Sequence, residues 1–373
     1  MMATTAMTSI TAISGLSEWC RVVQSRPFGV ALDRKVCTAT NVRCHFSVAP
    51  QTESHPSIDY TKEGAQSTMN LAAGAVNALF QFQPFFRFAA GRARSMIIER
   101  GAEIGYPWPP TLAKLRQHNW EDEIKQIRNK YIEYPEYYLK PFHAYEKGNL
   151  SWDAAWEVEL AAKSVHATTF DPERNRLDPE GDVRLRNSYH STMLPMLKCS
   201  PKAIVDIGCS TGLSTFGLHE VFPDAHTVGV DLSPYFISVA NYNVKEKGNS
   251  NSVQFLHAAG EYTGLPSGAY DLVSICLVCH ELPRSATKKI IEEAHRLLKV
   301  GGALAIMEMD PRSVHFQNMV KNVFAFTAFK ATEPWVDDYR TFPIEMAIVE
   351  RGFSSPTQES CSPRHRTIVA HKK

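Results

Sequence analysis

Apolar and polar positions in the second half of the chain follow the pattern of a strand, a helix and a second strand. Ala203–Ile207 is a short apolar run rich in β-branched residues, which predicts a strand buried on both faces. Leu213–Phe222 has helical spacing and is stopped by Pro223-Asp224. Thr227–Val230 predicts the next strand. This order predicts a βαβ unit, the building block of a parallel sheet.

The turn of this unit is rich in small residues, and an acid follows its second strand. We expect glycine at 208 and 212 because a side chain there would obstruct a ligand lying on the backbone. Asp231 follows the second strand, where an acid can bind the hydroxyls of a ribose. The dinucleotide fingerprint G-x-G-x-x-G requires glycines where Ser210 and Leu213 stand, so it is not matched.

The turn Asp206–Gly212 resembles motif I, D-x-G-x-G-x-G, of the class I methyltransferases that use S-adenosylmethionine (SAM). Ser210 stands where that family most often has glycine. The resemblance is to the methyltransferase type 11-like group of plant plastids and cyanobacteria. A turn with a purely structural role is the alternative interpretation of this segment alone.

Three later segments resemble the same family in the expected order. Gly260–Pro266 is similar to the segment whose acid, here Glu261, accepts a hydrogen bond from the adenine amino group. Tyr270–Val278 is similar to the F-D-L-V strand. In the sequence LLKVGG, residues Lys299–Gly302 predict a turn before the apolar run Ala303–Met307, and the whole segment is similar to the approach to the fifth strand. The resemblance covers Tyr189–Lys373.

The fold that this resemblance implies is α/β: a Rossmann-like, doubly wound, seven-stranded and mostly parallel sheet. A C-terminal antiparallel hairpin, from Gly352–Glu359 and Thr367–Ala370, would close it, and a helical extension would precede it. The domains expected are a transit peptide (1–50), a linker (51–68), the helical extension (69–170), which could form a lid or contact a membrane surface, and the methyltransferase domain (171–373).

The resemblance also implies a role for each cofactor-binding residue. Asp206 would orient the methionyl amine of SAM, and Asp231 would bind the ribose. SAM would lie close to the backbone at Gly208 and Gly212, and its adenine would lie at Gly260 and Glu261. For the methionyl carboxylate, one residue on the helix before the first strand is a candidate, although solvated surface charge is the commoner explanation of this group: Arg184, Arg186, Tyr189 and His190.

The catalytic residue predicted is His280, just past the fourth predicted strand. The methyl carbon of SAM is already activated by the sulfonium, so a base is needed only when the acceptor must lose a proton. A histidine has a pKa near neutrality and suits that role. A histidine packed beside Glu281 is the alternative, and Glu308 and Tyr189 are weaker candidates.

The first 50 residues have the composition of an organelle-targeting peptide. They are rich in Ser, Thr and Ala, basic and poor in acids, and resemble chloroplast transit peptides. A disordered tail is the alternative. Leu71–Ala90 carries five phenylalanines and no acid, so we expect it either to contact a membrane surface or to pack as a helix on the catalytic domain. Asn77, Pro84 and Arg87 disfavour a membrane-spanning helix.

The net charge and the cysteine spacing bear on two further functions, nucleic-acid binding and metal binding. The 373-residue chain has a net charge of +1, which gives no indication of nucleic-acid binding. The eight cysteines lack zinc-site spacing, so we expect no metal. The sequence therefore predicts a chloroplast methyltransferase, in the stroma or membrane-associated, that uses SAM and a small, apolar acceptor related to an isoprenoid, a quinone or a pigment. The alternatives are a non-catalytic, membrane-docked scaffold with the SAM fold and an NAD-dependent oxidoreductase, which Ser210 and Leu213 disfavour.

Overall fold

The computed structural model describes residues 83–143, 145–171, 176–248 and 252–373. The expected transit peptide and linker, and residues 71–82 of the apolar segment, lie outside the described residues. The described residues belong to one compact unit, so the helical extension and the sheet are parts of the same body.

A seven-stranded sheet has the order β3-β2-β1-β4-β5-β7-β6. Strands β1 to β5 are parallel, and β7 runs antiparallel to both β5 and β6. The strands are β1 (Ala203–Ile207), β2 (His226–Asp231), β3 (Val253–His257), β4 (Tyr270–Cys276), β5 (Leu298–Met309), β6 (Thr357–Ser360) and β7 (His365–His371). The strand order reverses between β1 and β4, and ligands bind beside such a switch point at the carboxyl ends of the strands.

The α-helices are α1 (Gln83–Glu103), α2 (Trp108–Arg116), α3 (Trp120–Ile127), α4 (Trp152–His166), α5 (Gly181–Met193), α6 (Leu213–Val221), α7 (Pro234–Lys247), α8 (Arg284–Leu297), α9 (Val314–Lys321), α10 (Val323–Thr332), α11 (Val336–Arg340) and α12 (Ile344–Glu350). Three short 3₁₀ helices, Glu136–Leu139, Leu194–Met196 and Cys279–Glu281, complete the described helical structure. Among the described residues, no helix combines the length and the apolar character needed to cross a membrane.

Alternate residues of the central strands face two separate cores. Val205 of β1 packs with Ile291 of α8 on one side of the sheet. Ile204 of the same strand packs with Leu185 of α5 and Leu218 of α6 on the other side. Burial on both faces explains why these strands have continuous apolar runs rather than an alternating pattern.

Several predicted boundaries shift in the structure. The turn expected at 299–302 lies inside β5. Tyr270 of β4 pairs with Leu298 of β5, and the next pair is Leu272 with Ala303, so β5 has three extra residues between the two pairs. Gly301, at φ +81°, lies in this bulge, which explains the glycines at this position. The fourth strand, expected to run to Val278, ends at Cys276, and the 3₁₀ helix Cys279–Glu281 follows.

The helical extension packs on the sheet domain through aromatic and small residues. Trp120 of α3 and Ala154 and Ala155 of α4 form a buried cluster with Phe236 and Val239 of α7. Because α7 begins just after β2, this cluster fixes the extension beside the carboxyl end of β2. The contact places the segment between α3 and α4 over the edge where ligands bind.

Candidate functional site

Asp206, near the end of β1, is fully buried. The hydroxyls of Ser214 and Thr215, in the first turn of α6, donate to its Oδ2 at 2.6 and 2.7 Å. Its Oδ1 has no hydrogen-bond partner among the described residues. Burial raises the pKa of Asp206 to about 6, while the two hydroxyls act in the opposite direction. A buried carboxylate oxygen without a partner suits a positively charged ligand group such as an ammonium.

The turn after β1 requires glycine for a different reason from the one we expected. Gly208 and Gly212 have φ of +75° and +99°. A Cβ at Gly208 would lie 2.5 Å from a methyl of Val278, and one at Gly212 would lie 2.6 Å from the Phe255 ring. The packing of the chain itself and the left-handed backbone therefore exclude side chains here, whether or not a ligand is bound.

Ser210, at the family's middle glycine position, is also left-handed, with φ +51°. Its hydroxyl is buried and has no partner among the described residues. Among the described residues, two further non-glycine residues have a positive φ, His143 and Leu277. Leu277 directly follows β4, and His143 lies near the same edge. Backbone strain of this kind is concentrated at functional sites.

Asp231, the last residue of β2, faces the turn as predicted. Its Oδ2 accepts a hydrogen bond from the backbone N–H of Ser210 at 2.9 Å, and its Oδ1 accepts one from Ser233 at 2.8 Å. Burial raises the pKa of Asp231 to about 6, although the hydrogen bonds from the two N–H groups lower it. The structure thus brings together the turn, Asp206 and Asp231 at one crevice.

Gly260 and Glu261 lie at the same edge, past β3. A Cβ at Gly260 would come within 2.8 Å of Ile207 at the end of β1, so the loop packs directly on that strand. The carboxylate of Glu261 accepts a hydrogen bond from the Tyr137 hydroxyl. The predicted adenine-binding acid is therefore paired with a residue of the N-terminal extension.

Residues 128–150 form a strap that crosses the carboxyl ends of the strands. Residue 144 lies outside the described part of this strap. At β3 the backbone N–H of Asn129 donates to His257 Nδ1 at 2.9 Å. After β2 the Ser233 hydroxyl donates to the carbonyl of Asn149 at 2.7 Å. Between these contacts lies Tyr138, whose pKa is raised by burial and then by the charges of Asp231 and Glu281. The strap therefore covers the crevice in the manner of the lid that the sequence indicated.

His280 is paired with a buried acid, which corrects our expectation of a near-neutral pKa. Its Nδ1 lies 2.8 Å from Oε2 of Glu308, a residue with no exposed surface. Burial lowers the pKa of His280, but the charge and the hydrogen bond of Glu308, together with the charges of Glu333 and Glu281, outweigh burial and raise the pKa to about 10. His280 is thus an imidazolium at neutral pH and cannot accept a proton, so the role of general base does not fit this position.

Two of the four candidates for the methionyl carboxylate, Arg186 and Tyr189, reach β4, and the Tyr189 hydroxyl lies 3.1 Å from the Ser274 hydroxyl. Arg186 donates from Nε and Nη2 to the two carboxylate oxygens of Asp182, at 3.0 and 3.2 Å, and its Nη1 lies 3.4 Å from Cys276 Sγ at the end of β4. Its charge acts on Asp206, whose pKa it lowers against burial. Arg184, by contrast, pairs with Asp178 at the surface. The structure favours Arg186 as the guanidinium available to an anionic group.

Sequence reasoning missed the strap residues of the site. The aromatic residues from Tyr134 to Tyr145 are not among the predicted site residues. Its density of tyrosines, whose hydroxyls need polar partners when buried, was the available signal. Nothing local could reveal that Tyr137 meets Glu261, 124 positions away.

Comparisons with known proteins agree with this geometry. Residues 204–302 match the family model described as "Methyltransferase domain". Demethylmenaquinone methyltransferase of Thermus thermophilus is 31% identical over 115 residues, 31% of this chain and 50% of that protein. Arsenite methyltransferase of Halobacterium salinarum is 26% identical over 160 residues, 43% of this chain and 40% of that protein. The chain spans about half the length of these curated relatives.

A solved SAM dependent methyltransferase from Aquifex aeolicus aligns with a TM-score of 0.40 and 17% identity, over 52% of this chain and 93% of that one. The matched residues 204–302 span β1 to β4 and the start of β5, with the glycine turn, Asp231 and Glu261. Residues 204–302 therefore belong to a methyltransferase domain.

Proposed function

We propose that the chain is an enzyme that transfers the methyl group of SAM to a small, apolar acceptor. The observation that carries this proposal is the contact between the Ser210 N–H and Asp231 at the end of β2. It fixes an acid beside a tight turn at the switch point of the sheet, where a ribose can be held.

The residues present suit the charges and polar groups of SAM. Asp206 offers a buried carboxylate oxygen without a partner to the methionyl ammonium. Arg186 offers a guanidinium to the carboxylate. Glu261 accepts from the Tyr137 hydroxyl at one oxygen, and its remaining lone pairs can accept from the adenine amino group.

Bound SAM supplies a methyl group that is already activated by a positive sulfur. The chain has to align this group with the acceptor and exclude water, and alignment alone can contribute several kcal/mol. The strap excludes water from above the crevice. His280, protonated and held by Glu308, can donate a hydrogen bond to the acceptor or balance its negative charge. Any proton that the acceptor loses goes to a group other than His280.

The acceptor proposed is a small apolar molecule related to an isoprenoid, a quinone or a pigment. The connection between β5 and β6 supports this, because Phe316 and Phe326 form an apolar cluster with Val336 there. The strap meets this connection where the His143 N–H donates to the Thr332 carbonyl at 3.3 Å. The demethylmenaquinone methyltransferase among the relatives supports a quinone-type acceptor.

The chloroplast is the proposed location, supported by the composition of the first 50 residues. The test of function is incubation of the protein with isotopically labelled SAM and fractionated plastid extract, followed by mass spectrometry. We expect label in one class of apolar product. A protein that binds SAM but labels no fraction would instead support the non-catalytic scaffold.

Peripheral membrane contact through Leu71–Ala90 is part of the proposal. Removing this segment should release the protein from liposomes that contain anionic lipid, because its phenylalanines and the following arginines would no longer reach the surface. Co-sedimentation measures the bound fraction. Equal sedimentation with and without the segment would assign it to packing on the domain.

A further inference from the structure

We propose that His143, Glu281 and Glu333 form a binding site for one divalent transition-metal cation. His143 Nε2 lies 2.7 Å from Oε1 of Glu333 and 3.7 Å from Oε1 of Glu281. One potential ligand atom from each residue lies within 4.8 Å of the other two. The three side chains come from the strap, the 3₁₀ helix after β4 and the residue after α10, so only the tertiary structure brings them together.

Glu333 provides a second, independent indication of a missing ligand. The residue is only 5% exposed. Its Oε1 contacts His143, but its Oε2 is buried and has no hydrogen-bond partner among the described residues. A buried carboxylate oxygen without a partner is unfavourable by about 1–3 kcal/mol or more. A cation held by this carboxylate would satisfy it.

The neighbouring acid is not available for the same purpose. Glu308 is committed to the His280 imidazole and to the backbone N–H of Cys279. Glu281 and Glu333 are therefore the carboxylates that face His143. Two carboxylates and a neutral imidazole balance the charge of a divalent cation.

The donor set favours particular metals. One imidazole nitrogen with two carboxylate oxygens is typical of Mn²⁺, Fe²⁺ or Zn²⁺ rather than of Mg²⁺ or Ca²⁺, which prefer oxygen ligands alone. In a tetrahedral zinc site, ligand bonds of about 2.0–2.2 Å place neighbouring ligand atoms about 3.3–3.6 Å apart. Glu281 Oε1, at 3.7 Å from His143 Nε2, is close to this spacing, whereas Glu333 Oε1, at 2.7 Å, has to move away from that nitrogen by about 0.6–0.9 Å.

Three protein ligands leave at least one coordination position open, as in catalytic metal sites. The His143 and Glu281 side chains are 34% and 26% exposed, which provides a path for the cation and for a further ligand. Glu281 adjoins His280 at the carboxyl edge of the sheet. The open position therefore suits a hydroxyl or carbonyl oxygen of the acceptor. This last step rests on the proposed methyltransferase function, whereas the metal site itself does not.

The experiment measures metal binding by the full chain after treatment with EDTA and dialysis. Mn²⁺ binding is followed by the loss of the free-ion signal in electron paramagnetic resonance, and Zn²⁺ is added as a competitor. We expect one ion per chain. His143→Ala, Glu281→Gln and Glu333→Gln should each weaken binding by at least about tenfold, the lower end of the effect seen even for groups that only support a metal ligand.

His118→Ala is the matched control, because His118 pairs at 3.3 Å with one carboxylate, that of Glu123, away from the crevice. It should bind the metal like the unaltered protein. Circular dichroism melting shows that each variant is folded, and the two isosteric glutamine variants preserve the test should His143→Ala unfold. The proposal is overturned if neither ion binds stoichiometrically, or if the three variants bind it as tightly as the control.

SAM binding is measured on the same preparations by thermal shift. Metal binding without a SAM shift would refute the proposed function and leave the metal site standing. A thermal shift with SAM but no metal binding would refute the metal site and leave the proposed function standing.

Discussion

Replacing Asp231 by alanine tests the part of the site on which the functional proposal depends. Each carboxylate oxygen holds one backbone N–H, from Ser210 and from Ser233, and retains a lone pair for a ribose hydroxyl. A hydrogen bond to a charged group contributes about 1.5–3 kcal/mol, part of which water regains in the variant. We therefore expect SAM affinity to fall by about 1–3 kcal/mol, or roughly 5- to 150-fold.

The same change acts on folding in two opposite ways. Loss of the acceptors leaves two N–H groups unpaired, at about 1–3 kcal/mol each if they stay dry. Burial holds the pKa of Asp231 at about 6 instead of 3.8, so its ionised form is unfavourable by about 3 kcal/mol at pH 7.5, and alanine removes this penalty. The two effects partly cancel, so we expect Asp231→Ala to fold well enough for binding to be measured.

Isothermal titration calorimetry at pH 7.5 measures the affinity, and thermal melting confirms the fold. Asp224→Ala is the control, because this exposed acid, just before β2, pairs with the exposed Lys202 at 3.4 Å. It should leave SAM binding unchanged. A folded Asp231→Ala variant whose affinity stays within twofold of the control would refute the assignment of the ribose to this acid.

Three further predictions concern the same edge of the sheet. Burial raises the pKa of both Asp206 and Asp231 from 3.8 to about 6, so the folded state holds more protons than the unfolded state between these values, and its stability falls as pH rises through them. In urea titrations, Asp231→Asn should therefore gain stability relative to the unaltered protein by up to about 3 kcal/mol between pH 4 and pH 7, and a constant difference would contradict the buried, ionised acid. Ser210→Gly should change the unfolding free energy by less than about 1 kcal/mol, because relief of the left-handed backbone strain offsets the greater chain entropy of glycine in the unfolded state. Ser210→Val should destabilise the protein by about 1–2 kcal/mol. Equal melting temperatures of the two variants would argue against a φ of +51° at this position. Nuclear magnetic resonance should find His280 protonated at pH 8 in the unaltered protein and neutral in Glu308→Gln, because the pKa of about 10 depends on the Glu308 charge. Since the pKa is raised in the folded state, the stability that the ion pair contributes is fully present below pH 6.5 and is lost as pH rises towards 10. A neutral His280 in the unaltered protein at pH 8 would contradict the ion pair.

Local patterns were sufficient for the βαβ unit and its chemistry. The run at Ala203–Ile207 and the glycines at 208 and 212 predicted a strand and a turn, and the structure has both. The acid at 231 lies at the end of the next strand and contacts this turn, and its binding of a ribose stays a prediction. Such features depend on residues close in sequence, where side-chain period and turn conformation are set by the backbone itself. The turn expected at 299–302 lies inside β5 because sheet pairing continues past a glycine bulge, a tertiary effect.

The sequence by itself thus determined the parallel sheet, its order of segments and the glycine turn after β1. The tertiary structure alone decided which groups meet at the carboxyl edge: Tyr137 with Glu261, His280 with Glu308, and His143 with Glu281 and Glu333. These partners lie far apart along the chain, and their meeting depends on where the strap crosses the sheet. The pKa of His280 follows from the same cause, because burial and a neighbouring charge, rather than residue type, set the protonation of a side chain.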